Sequence, residues 1–172
     1  MSWIVVDVEA DGPVPPTFSM ICFGAVVVEA GLSRTFYGEV APISEQTNLA
    51  AAAISGISRA KHETFEAPKI VMARFADWIT ANTKGRPIFV SDNPAFDWQW
   101  INYYFHSFCG GNPFGYSARR IGDLYCGMEK NAYAQWKHLR KTRHDHNPVN
   151  DAKGNAEALL RMRELGLKVN FE

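Results

Sequence analysis

SWIVVDVEADG, residues 2–12, is where the reading of this chain turns. Its β-branched run Ile4-Val5-Val6 with Val8 favours an extended strand leaving a core, and on a strand alternate side chains share a face. Asp7 and Glu9 therefore project together. Two adjacent carboxylates repel unless a cation lies between them or one is protonated, so the pair is either a metal-binding edge or an acidic strand end in solvent. Hard oxygen ligands without cysteine point to Mg²⁺ or Mn²⁺ rather than Zn²⁺.

The segments SMICFGAVVVEA and SRTFYGEVAP follow, separated by glycine-containing turns, and three successive strands at this spacing predict an antiparallel meander. NLAAAAISGIS switches to small helix formers, with Gly56 as the stop. In KIVMARFADWITANTKG, Ile70, Val71, Phe75, Trp78 and Ile79 recur at helical spacing and Gly85 lies beyond the end. RPIFVSD reads as a fourth, buried strand, and Asn93-Pro94 opens the aromatic helix AFDWQWINYYFHSF. The stretch ARRIGDLYCGMEKNAYAQWKHLR is mixed and mostly helical by pattern. A last helix, NDAKGNAEALLRMRELG, starts near Asn150 or Asp151 and carries basic residues towards its end, in accord with the helix dipole. Strands first, then alternating helix and strand, predict an α/β fold with a mixed sheet flanked by helices.

At 172 residues, 47% hydrophobic and 21% charged, the chain has enough apolar side chain for a sizeable core, and one domain over residues 1–172 is expected. MICFGAVVV is too short to span a membrane, and Met1 leads into WIVVDVE without a basic signal-like region, so the expectation is a cytoplasmic protein with no membrane partner. The three cysteines, Cys22, Cys109 and Cys126, lack CxxC spacing and read as reduced thiols. With 18 basic and 18 acidic residues, no global field attracts polyanions, and any nucleic-acid contact must be local. The run WKHLRKTRHDH, with Lys137, Arg140, Lys141 and Arg143, is the candidate patch, the alternative being a solvated helix face.

Two further carboxylates open helices. Asp97 lies in the first turn after Asn93-Pro94, and Asp151 in that of the last helix, five residues after His146. Each could merely complement a helix dipole. Taken in order, however, DVE, NPAFD and HNPVND resemble the three motifs of the DEDDh 3′→5′ exonucleases, the proofreading-subunit and ribonuclease T group with a ribonuclease H-like fold. AAAISGIS also resembles the small-residue and Gly-Ile segment that the family carries between its first two motifs.

The resemblance implies a 3′→5′ exonuclease of single-stranded DNA or RNA in which Asp7, Glu9, Asp97 and Asp151 hold two divalent ions, Mg²⁺ or Mn²⁺, and His146 is the general base. An imidazole, as a side-chain class, titrates near neutrality and suits that role. It also implies substrate contacts at Ala10, Asp11, Gly12, Phe18, Met20 and Asn93, with Arg143 on the preceding strand, and a homodimer by likeness to ribonuclease T and oligoribonuclease. Several positions carry alternatives. Ala10 stands where the family often has Thr, removing a hydroxyl contact; Asp11 fits a turn in ADGP as well as a ligand; Met20 fits the core. Asp92 rivals Asp97, though Asp97 completes N-x-x-F-D, and His144 is a phosphate contact or a bystander. Two other classes compete: a zinc hydrolase built on His144-Asp145-His146, and a catalytically silent ribonuclease H-like binding module.

Overall fold

The computed structural model describes residues 1–171. Its centre is β1 (Trp3–Ala10), paired antiparallel to β2 (Met20–Val27), which pairs antiparallel to β3 (Thr35–Glu39). The predicted meander is present. After α1 (Leu49–Ser55), α2 (Arg59–His62) and α3 (Pro68–Asn82), strand β4 (Ile88–Ser91) joins the other edge of β1 in parallel. Then come α4 (Pro94–Cys109), β5 (Ala118–Arg120), α5 (Ile121–Glu129), a 3₁₀ turn at Lys137–Leu139 and α6 (Pro148–Glu164). The sheet order is β3-β2-β1-β4-β5, with helices on both faces.

Strand alternation sorts β1 between two cores. Ile4, Val6 and Val8 pack with Phe23, Phe75, Trp100 and Tyr104 on the α3/α4 side; Trp3 and Val5 pack with Ala152, Ala156 and Leu159 on the α6 side. Phe75 sits among Phe23, Phe36 and Phe105 at ring separations of 4.8, 4.9 and 5.5 Å, a cluster whose truncation at Phe75 costs about 3–5 kcal/mol. Continuing the odd-numbered face, Asp7 and Glu9 emerge where α6 begins.

Two elements depart from the sequence reading. β5 lies inside the stretch expected to be mostly helical: its three residues pair with β4 from Phe89↔Ala118 to Ser91↔Arg120, yet ARR shows no apolar alternation because the strand is an exposed edge. The short α2 is held by Ser58, whose side chain accepts from Lys61 N–H, a cap visible only once the loop is folded. Among the described residues no helix is long and apolar enough to cross a membrane.

Candidate active site

The site is assembled where β1 meets the start of α6. Gly24 lies opposite Asp7 in the β1–β2 ladder, and a Cβ on it would come within 2.4 Å of the Pro148–Val149 peptide. A bare backbone at 24 thus lets the first turn of α6 rest on the sheet beside Asp7. Asn147 caps that turn, its Oδ1 accepting from Val149 and Asn150 N–H, and Pro148 occupies the first helical position. Asp151 is thereby carried to β1: ligand oxygens of Asp7, Glu9 and Asp151 lie within 4.8 Å of one another.

Asp97 arrives from the opposite side. The β1–β4 ladder ends at Val5↔Val90, and farther along β1 the Val8 N–H donates to Asp97 Oδ1 at 3.1 Å. The helix-opening carboxylate is thus fixed by the central strand's backbone. Asp92, its rival by sequence, also lines the cleft but is tied to Lys137 Nζ at 2.9 Å.

The cleft encloses about 490 Å³ and is lined by Asp7, Glu9, Ala10, Gly12, Asn93 and Asp97, with Ala51 and Ile54 of α1 and Phe96 of α4 as its apolar wall, Asn48 beside them, and His144 and His146 at its side. His146 adopts φ +61°, a left-handed conformation that costs about 1–2 kcal/mol in a side-chain-bearing residue. That turn points its N–H at Asp151 Oδ2, 3.1 Å away, and leaves Nδ1 3.5 Å from Glu9 Oε1. The ring is 46% exposed, so it can meet both substrate and solvent.

Charge is concentrated here. Burial, then the carboxylates of Asp97, Asp151 and Glu9, push the Asp7 pKa well above the usual range, with Arg140 opposing. Burial likewise raises Asp97 to about 7 and raises Glu9 against the pull of His146. Carboxylates that resist ionisation in this way favour any cation that restores their charge. The donor set, close-set acidic oxygens without sulfur, fits a hard divalent ion.

Several expected substrate residues lie elsewhere. Met20 is fully buried in the core, where its N–H donates to Tyr104 Oη at 2.9 Å, so its side chain has no surface on the cleft. Asp11 is turned away beyond the β-bulge at Glu9/Ala10: it accepts from Ser19 N–H and pairs with Arg59 Nη1 at 3.2 Å, which makes it a loop brace. Phe18 lies across Gly12, where an added Cβ would overlap its ring, and packs partly against the core beneath the cleft wall. Arg143 is exposed and lines a groove of about 240 Å³ with Lys137, Lys141 and His144, alongside the carboxylate cleft.

Two residues proved closer to the centre than their sequence suggested. His144, weighed as a phosphate contact or bystander, has Nδ1 2.7 Å from Asp151 Oδ2 and its ring 4.3 Å from that of His146. Arg140, grouped with the basic run, turns inward to Asp151 Oδ1 at 2.9 Å. A clue existed: Gly154 lies within the last helix, where a glycine costs helix stability and usually has a packing reason.

Residues 2–162 match the family described as the Rv2179c-like 3'-5' exoribonuclease domain. The chain belongs to this family. An Escherichia coli relative, "3'-5' DNA exonuclease Cap18", is 35% identical over 183 residues, covering 99% of this chain and 96% of its own. The Rv2179c-like fold is shared with the nuclease domain of 3'hExo, "a DEDDh family member, bound to rAMP", at TM-score 0.77 and 18% identity, covering 98% of this chain and 94% of that one. Cell-death related nuclease 4 (CRN-4) superposes at TM-score 0.79 and 18% identity over 97% of this chain and 65% of its own. The ribonuclease H-like fold is thus shared with DEDDh nucleases, and the chain, by its family, is a 3′→5′ exonuclease, a hydrolase acting on nucleic acid.

Proposed function

We propose that this exonuclease removes nucleotides one at a time from the 3′ end of single-stranded DNA or RNA, with Asp7, Glu9, Asp97 and Asp151 holding two Mg²⁺ or Mn²⁺ ions and His146 as general base. The observation that carries the reading is the convergence of Asp7, Glu9 and Asp151 within 4.8 Å, with Asp97 and His146 lining the same cleft. A volume of about 490 Å³ suits one terminal nucleotide.

When bound, divalent ions would offset charge on the phosphodiester and acidify the attacking water. The chain's own groups supply the rest. His146, set by its backbone turn, takes the proton as the water oxygen bonds to phosphorus and the bond to the leaving 3′-oxygen breaks; that oxygen is then protonated from solvent. Glu9 Oε1, 3.5 Å from His146 Nδ1, helps to orient the ring. Ala51, Ile54 and Phe96 give the terminal base an apolar wall, while Ala10 and Gly12 leave room for backbone contact. Arg143, Lys137 and Lys141 border the exit and would follow the preceding phosphates.

The family description names RNA and the Cap18 relative is named for DNA, so both polymers belong in one assay. With 5′-labelled single strands and Mn²⁺ or Mg²⁺, stepwise shortening from the 3′ end that disappears in Asp7→Ala and His146→Ala is expected. Loss from the 5′ end, or indifference to both substitutions, overturns the proposal. Ligand atoms of His144, His146 and Asp151 also lie within 4.8 Å of one another, which keeps the zinc reading testable: bound zinc near one per chain with zinc-specific activity would favour it. The proposal extends to a homodimer, to be read by sedimentation.

A further inference from the structure

Arg140 stands apart from its basic neighbours. Lys137, Lys141 and Arg143 are exposed, whereas the Arg140 side chain is 9% exposed and its Nη2 lies 2.9 Å from Asp151 Oδ1, on a side chain 1% exposed. Desolvating a guanidinium is unfavourable, so an inward arginine requires a partner. Space for it comes from Gly154: a Cβ there would lie 2.5 Å from Arg140 Nε and 2.7 Å from Nη2. Since glycine weakens a helix interior, two sequence choices agree in bringing one fixed cation to Asp151. The carboxylate is thereby divided. Oδ1 accepts from Arg140 and from Asp145 N–H, while Oδ2 faces His146 N–H and His144 Nδ1 on the cleft side.

We propose that Arg140 is a positioning residue of the active site: it locks Asp151 so that Oδ2 is the oxygen presented to a cation, and it offsets carboxylate charge before any cation binds. The inference rests on the two-ion reading above. In that state the four carboxylates and two dications cancel, leaving the charge of the scissile phosphodiester, which Arg140 matches. The arrangement has a diagnostic sign. Arg140 repels the ions that it helps to place, so its removal tightens metal binding while impairing turnover.

The test uses the full chain as wild type, Arg140→Met, Arg140→Lys and Gly154→Ala. Mn²⁺ binding is read from the EPR signal of the free ion, Tm with and without Mn²⁺, and kcat on a 3′-labelled oligonucleotide. In Arg140→Met the Mn²⁺ dissociation constant should fall about threefold or more from the lost repulsion, and the Mn²⁺-induced rise in Tm should grow. Its kcat should fall about tenfold as Asp151 loses alignment. Arg140→Lys should restore Mn²⁺ affinity, because the charge returns, without restoring kcat, because the planar fork does not. Gly154→Ala, which crowds both the guanidinium and the Thr142 carbonyl, should move kcat in the same direction, and Arg140→Lys decides the matter if Arg140→Met fails to fold. Unchanged or weaker Mn²⁺ binding in Arg140→Met, or an equal loss of Tm with and without Mn²⁺, would reduce Arg140 to a packing residue. A wild type that binds no Mn²⁺ sinks the two-ion reading and this inference together; a wild type that binds it, with indifferent variants, sinks this inference alone.

Discussion

Asp7 and Asp11 lie four residues apart at the same end of the sheet, and both carboxylates are largely withdrawn from solvent. Asp11 is answered by the protein itself: Ser19 N–H and Arg59 bind it, and His62 Nδ1 lies 3.8 Å away. Burial raises its pKa, but those three groups all oppose the rise. For Asp7, the neighbours that follow burial in effect are three more carboxylates, and they push the same way. One acid braces a loop, while the other waits for a cation. Spacing along the chain does not separate the two roles; the company each side chain keeps does.

The contrast makes its largest prediction at Asp7. Asp7→Asn should lower exonuclease activity about a thousandfold, the scale of losing a principal electrostatic group, while raising the Tm of the metal-free protein. The sign follows from the raised folded pKa: ionised Asp7 costs stability at neutral pH, and Asn removes that cost. A lower metal-free Tm would refute the account. Second, His146→Ala should lose about a hundredfold in kcat with little change in Mn²⁺ binding, measured by single-turnover kinetics and EPR. Equal loss of Mn²⁺ affinity would make His146 a ligand instead of a base.

At Asp11 the effects reverse. Asp11→Ala should cost about 2 kcal/mol of stability by leaving Ser19 N–H and Arg59 without their acceptor, discounted because Arg59 is partly exposed, while the folded fraction still cleaves. Denaturant unfolding together with an activity titration would show otherwise if the stability held and cleavage vanished. The smallest effect is in pH. Asp97 is raised to about 7 and Asp7 is raised too, so the folded metal-free state binds protons that the unfolded state releases, and its stability should rise as pH falls from about 7 towards the unfolded carboxylate range near 4. His62, lowered by burial, has the opposite sign, losing stability as pH falls through about 6.5. Because His62 contributes in both states, the difference in Tm between EDTA and saturating Mn²⁺ isolates the acidic site. A difference that does not shrink on acidification would contradict the raised carboxylates.

Much of the fold was legible because it rests on local periodicity. The β-branched runs form β1 and β2, and the proline-opened helices begin at Pro94 and Pro148, where Asn93 and Asn147 stand just before them. Less legible were elements whose reason is a neighbour. β5 is a strand because β4 offers it an edge, and α2 forms in a loop pinned above Asp11 by Arg59. The substrate positions at Met20, Phe18 and Asp11 could not be resolved from spacing, since a bulge between Glu9 and Ala10 resets which residues after β1 face the cleft.

The sequence by itself determined that Asp7 and Glu9 share a strand face, that Asp97 and Asp151 open helices, and that a histidine precedes the last of these by five residues. These are consequences of short-range geometry, fixed within a few residues of chain. Only the tertiary structure decided that Gly24 admits α6 to the sheet, that Gly154 admits Arg140 to Asp151, and that Asp11 is already satisfied. Each depends on which groups from distant segments share one small, poorly solvated volume, and there the pairing of charges governs the role of each carboxylate.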